Sequence, residues 1–173
     1  SLAGRLFDMT ELMMECFDSP DEVKTLLSKA TEFITNYILE FKKAGADGVI
    51  MAEPAAGLLS PSLNAEFSAP FVKEIIEKIN DENFIICYHN CGDAIGDMTN
   101  EIKEYGADIY HFGNAVPLVK MLPEMPTDTI VMGNIDPVLF TTATPDEIKD
   151  TAIKLYDECK HYPNFMVSSG CDI

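Results

Sequence analysis

Apolar residues recur at helical spacing between positions 23 and 41, where Val23, Leu26, Leu27, Ala30, Phe33, Ile34, Tyr37, Ile38 and Phe41 share one face. Ser19-Pro20-Asp21-Glu22 sets a capping residue, a first-turn proline and two acids ahead of them, and Gly45 stands where a left-handed cap would end the helix near Ala44. The pattern then becomes a short continuous apolar run, Gly48 to Ala52, bounded by Asp47 and Pro54, the form of a strand buried on both faces. This unit recurs. A helix carrying Phe71, Val72, Ile75, Ile76 and Ile79 precedes a strand over Phe84–Tyr88, and a helix predicted from Ala94 to Tyr105 precedes Asp108–Phe112. A short helix over Val116–Leu122 precedes Thr129–Met132, and a helix opened by Thr144-Pro145-Asp146-Glu147 and running to about Lys160 precedes Phe165–Ser168. Helix and strand alternating in this way predict an α/β protein with parallel strands and helical crossovers. No Gly-, Pro- or Ser-rich linker divides the chain, so residues 1–173 read as a single domain.

Two architectures fit such alternation, a doubly wound sheet and a (β/α)8 barrel. Gly45-Ala46-Asp47 and Gly106-Ala107-Asp108 occupy the same place, between a helix end and the next strand, and this repetition favours the barrel. A complete barrel needs about 250 residues, so 173 residues hold about five or six of its eight units.

Composition narrows the partners. Twelve Lys+Arg stand against 29 Asp+Glu, for a net charge of −17, and the field of such a chain repels phosphate backbones and acidic headgroups. Neither nucleic acid nor a membrane is an expected partner, and no apolar run approaches the length of a membrane span. Ser1–Thr10 lacks the cationic segment of a signal peptide. Five cysteines at irregular spacing argue against a disulfide framework, so a cytoplasmic location with reduced thiols is expected.

In either architecture the carboxyl ends of the strands form the functional rim. His89-Asn90-Cys91-Gly92-Asp93 follows one strand and Ser169-Gly170-Cys171-Asp172 another. His89 and Cys91 are two apart, so at the end of an extended strand their side chains point to one side, and Cys171 could converge on them across the mouth. One His and two Cys are a donor set of catalytic zinc, whose fourth position stays open for water or substrate. Packing is the competing reading, since a Cys at a strand end often serves as a small core hydrophobe and a single His as a hydrogen-bonded structural residue. Cys16, Cys87, Cys159, His111 and His161 are assigned to structure. Glu53, Asp93 and Asp136 are strand-end carboxylates suited to orienting ligands or accepting protons, or to capping turns.

Taken in order, Ala46-Asp47-Gly48-Val49-Ile50, His89-Asn90-Cys91-Gly92-Asp93, Gly133-Asn134-Ile135-Asp136-Pro137 and Ser168-Ser169-Gly170-Cys171-Asp172 resemble the uroporphyrinogen decarboxylase superfamily. The closer likeness is to its corrinoid-dependent branch, the methylcobalamin:coenzyme M type methyltransferases. That resemblance implies a TIM barrel of the uroporphyrinogen decarboxylase type, present as a partial barrel from about the end of strand 3, at Ser1–Arg5, to strand 8. It also implies a zinc site at His89, Cys91 and Cys171. The decarboxylase branch carries a Gly-His pair where this chain has Gly170-Cys171.

By the same resemblance, the expected function is methyl transfer from a methylated corrinoid, carried on a partner corrinoid protein, to a small thiol such as coenzyme M. Zinc would activate the thiol; Glu53 and Asp93, from their positions at strand ends, are the candidate catalytic carboxylates, Glu53 as a fourth ligand released when thiol binds or as a proton acceptor. The rival expectations are a metal-free decarboxylase of the uroporphyrinogen type and a non-catalytic corrinoid-binding homologue. An open barrel exposes two sheet edges, and self-association into a homo-oligomer through them is a further expectation.

Overall fold

A computed structural model describes residues 1–173. It opens with three helices, α1 (Leu2–Phe7), α2 (Met9–Asp18) and α3 (Pro20–Lys43). The Asp8 carboxylate starts α2 by accepting from the Thr10 and Glu11 N–H groups at 2.8 and 3.3 Å. Pro20 and two acids begin α3, and Lys42 and Lys43 occupy its last turn, where they complement the dipole.

Beyond Gly45 the chain enters β1 (Gly48–Ala52), passes through a 3-10 turn, α4 (Pro61–Phe67) and α5 (Ala69–Ile79), and reaches β2 (Ile85–Asn90). A second 3-10 turn and α6 (Thr99–Ile102) lead to β3 (Ile109–Phe112), then α7 (Leu118–Met121) to β4 (Ile130–Ile135). Finally α8 (Leu139–Thr142) and α9 (Pro145–Cys159) lead to β5 (Phe165–Ser169). A capping box opens α9, with Thr144 and Glu147 each bonding the other's backbone. Gly45 and Gly106 both adopt positive φ, 92° and 80°, so the repeated Gly-Ala-Asp is the same turn used twice.

All five strands are parallel and lie in the order β1-β2-β3-β4-β5. A doubly wound sheet reverses its strand order at a switch point; this one never does, which settles the architecture as part of a (β/α)8 barrel. Neither β1 nor β5 has a strand on its outer side. On β2, Ile86 and Tyr88 point toward the helices and join a core of 21 buried residues, while Cys87 and His89 face the concave side. In register, Ala52, His89, His111, Met132 and Met166 form one row across the sheet.

Three features depart from the sequence reading. Ser1–Arg5 is not a strand end but leads into α1, since Leu, Ala and Arg favour helix and Ala3 and Gly4 are buried there. Ala94 to Tyr105 is not one helix but a 3-10 turn, Asp93–Met98, followed by α6, because Gly96 and the polar Asp97, Thr99 and Asn100 are weak helix formers. On α3, Phe33 stacks on Tyr37 and Tyr37 meets Phe41 edge to face, yet the three remain 60%, 56% and 42% exposed, so only part of the apolar face is buried. No helix is long and apolar enough to cross a membrane.

Candidate metal centre

β2 carries His89 one residue before its end, and Cys91 follows just beyond it. Cys171 lies two residues past the end of β5. The curvature of the parallel sheet brings them together, and one donor atom from each lies within 4.8 Å of the others. His89 Nε2 and Cys171 Sγ are 3.6 Å apart. Zinc at about 2.1 Å from nitrogen and about 2.3 Å from sulfur, with a tetrahedral angle between them, also separates the two donors by about 3.6 Å. The residues present therefore fit a metal of zinc's size and ligand preference.

Their surroundings match. His89 is buried, and its Nδ1 lies 3.1 Å from the His111 carbonyl, an acceptor that fixes the proton on Nδ1 and leaves the Nε2 lone pair directed at Cys171. Burial, reinforced by the neighbouring His111, pushes the His89 imidazole below its ordinary value, which keeps it neutral at pH 7. Burial also raises the Cys91 thiol, and proximity to Cys171 raises it further, so a metal must displace that proton to bind. Cys91 approaches β3 closely: a Cβ on Gly113 would lie 2.6 Å from the Cys91 Cα and Cβ.

The chain's resemblance to known proteins agrees with this fold. The family model described as uroporphyrinogen decarboxylase (URO-D) matches residues 1–173. The chain belongs to the uroporphyrinogen decarboxylase family. Curated relatives named uroporphyrinogen decarboxylase include one from Chlorobium phaeobacteroides, 29% identical over 158 residues, which are 89% of this chain and 43% of that protein. Another, from Prochlorococcus marinus strain NATL2A, is 30% identical over 148 residues, 83% of this chain and 41% of that protein. A third, from Vesicomyosocius okutanii, is 25% identical over 167 residues, 96% and 48% respectively. The chain spans less than half the length of these relatives.

In this member of the uroporphyrinogen decarboxylase family the two candidate carboxylates have different surroundings. Glu53 is not among the clustered donors. Its carboxylate accepts from Ser68 Oγ at 2.6 Å and from the Tyr88 hydroxyl at 3.1 Å. Since Tyr88 and His89 are consecutive on β2, that places the Glu53 carboxylate on the helix side of the sheet, opposite the cluster. Burial raises its pKa above the ordinary carboxylate range, against the opposing pull of the Ser68 hydrogen bond. Glu53 therefore supplies no fourth donor in this arrangement.

Asp93 is exposed and, with Cys91, Arg5 and Asp8, lines a cavity of about 620 Å³. Asp136 accepts from the Val138 N–H, a turn role. Cys16, Cys87 and Cys159 are buried as packing residues. What the sequence did not reveal is the His111 carbonyl as partner of His89. A backbone acceptor leaves no trace in residue identity, and only the pairing of His89 with His111 in the β2–β3 register exposes it.

Proposed function

We propose that this chain is the catalytic part of a zinc-dependent methyltransferase that moves a methyl group from a methylated corrinoid, held by a partner corrinoid protein, to a small thiol. The observation that carries this reading is the convergence of His89, Cys91 and Cys171, two soft sulfur donors and a neutral imidazole, within 4.8 Å. Zinc bound there supplies Lewis acidity that lowers the pKa of an incoming thiol, so that a thiolate is available at neutral pH. His89, Cys91 and Cys171 would hold the metal and, being three donors, would leave room for the thiol's sulfur. The His111 carbonyl keeps the His89 proton on Nδ1, away from the donor atom. Asp93, exposed in the cavity beside Cys91, takes up the thiol proton. The partner's methylated corrinoid would supply the methyl group, which the thiolate sulfur would accept as the Co–C bond breaks and its electron pair stays on cobalt. Five free cysteines fit a reducing compartment, and we place the protein in the cytoplasm.

A second reading, decarboxylation of a uroporphyrinogen-type tetrapyrrole, is favoured by the names of the curated relatives. That chemistry calls for cations to bind the substrate's carboxylates, and the cavity at Cys91 offers Arg5 alone, beside Asp8 and Asp93. The Cys171→Ala variant separates the two. Methyl transfer predicts loss of both zinc binding and thiol methylation. Metal-independent turnover of uroporphyrinogen by wild type and variant alike would establish decarboxylation instead.

A further inference from the structure

Resting on the metal reading above, we infer that the His111 side chain is a positioning residue of the cluster, setting where Cys171 meets His89. His111 makes two polar contacts in different directions. Its carbonyl accepts from His89 Nδ1 at 3.1 Å, and its ring Nε2 lies 2.7 Å from the carbonyl of Ser169, the last residue of β5. That second contact crosses the concave face of the sheet, joining β3 to β5 past the intervening β4.

Cys171 needs such a tie. The last ladder hydrogen bond of this region runs from the Gly170 N–H to the Ile135 carbonyl at 2.6 Å, leaving Cys171 just beyond the sheet. From there the restraint passes through Ser169, whose hydroxyl donates to the Cys171 carbonyl at 2.8 Å. The chain of contacts thus runs His89, His111, Ser169, Cys171 and closes where Cys171 Sγ meets His89 Nε2. Because His111 Nε2 is committed to a carbonyl and its ring is buried beside that of His89, with centroids 4.5 Å apart, His111 serves as a brace between two donors and not as a donor itself. Partners of this kind, one shell out from a metal, commonly govern affinity.

His111→Gln and His111→Asn test the assignment, since the amide nitrogen of Gln stands near the place of Nε2 and that of Asn falls short of Ser169. Zinc affinity is read by competition with a chromophoric chelator, alongside the thiolate-to-cobalt charge-transfer band of the cobalt(II)-loaded protein. The expected result is H111Q within about threefold of wild type, and H111N weakened by about 10- to 100-fold with a diminished band. An H111N protein with wild-type affinity and an unchanged cobalt spectrum would overturn the inference while leaving the metal site intact. A wild-type protein that takes up neither metal would overturn the metal reading and the inference together. If H111N does not fold, His111→Phe carries the test, because it keeps a ring of similar bulk and removes the nitrogen that meets the Ser169 carbonyl. A fall of about tenfold or more supports the brace, and unchanged affinity contradicts it.

Discussion

His89 Nε2 and Cys171 Sγ stand 3.6 Å apart although 82 positions separate them in the chain. Neither residue is near the other in any local element. The contact exists because five parallel strands follow one another in order and curve, bringing the ends of β2 and β5 toward a common mouth. A pair of donors at this separation, with Cys91 completing the set, makes metal uptake the property on which the functional reading turns.

Metal affinity depends on pH with a definite sign. Burial raises the Cys91 thiol pKa, so at neutral pH the metal displaces a proton from it. Zinc affinity should fall by about tenfold or more for each pH unit below neutrality, as measured by chelator competition. An affinity independent of pH would mean that Cys91 is not a ligand.

Tyr88 and His89 are neighbours that face opposite ways, and their substitutions should separate stability from metal binding. Tyr88 donates to Glu53 and accepts from Asn90 Nδ2 at 3.1 Å in a buried setting. Tyr88→Phe strips both groups of a partner and should cost about 1–3 kcal/mol in denaturant unfolding. Zinc affinity of the variant should match wild type; a parallel loss would contradict the placement of Tyr88 on the helix side.

Glu53 gives the protein a pH-dependent weakness. Its native pKa is raised by burial, so the folded state holds the proton more tightly than the unfolded state does. The stability this contributes is complete below the ordinary carboxylate range and is lost as pH rises through the raised native value. Glu53→Gln should flatten that decline, so wild type loses stability relative to the variant over this window. Parallel unfolding curves at every pH would show that Glu53 is not perturbed.

Close approach at β3 yields another prediction. A methyl group at position 113 meets the Cys91 backbone and Cβ at 2.6 Å, so Gly113→Ala must shift Cys91. Zinc affinity should drop by about tenfold or more even where thermal unfolding of the metal-free protein changes little. Unaltered affinity would show that the backbone at Cys91 yields without moving the sulfur.

Much of this arrangement is readable from the residues, for reasons that also explain what is not. Period and punctuation give Gly48–Ala52 as a strand with the bounds observed, and the rule that chemistry collects at strand carboxyl ends picks out His89, Cys91 and Cys171, which the structure brings together. Strand order is a long-range property, so the choice between barrel and doubly wound sheet waited on pairing. The side taken by Glu53 follows from alternation: Ala52 pairs with His89 on the concave row, and the next residue turns away. Short elements escape detection, as with the 3-10 turn at Asp93–Met98, where weak helix formers outvote a helical apolar pattern. Exposure of Phe33, Tyr37 and Phe41 also escapes, because periodicity defines an apolar face but not what covers it.

The most direct test of the account is the metal content of the purified protein, by elemental analysis, beside a His89→Ala control. About one zinc per chain, absent from the control, is the predicted result. No zinc in the wild type, or equal zinc in both proteins, would contradict a site built on His89, Cys91 and Cys171.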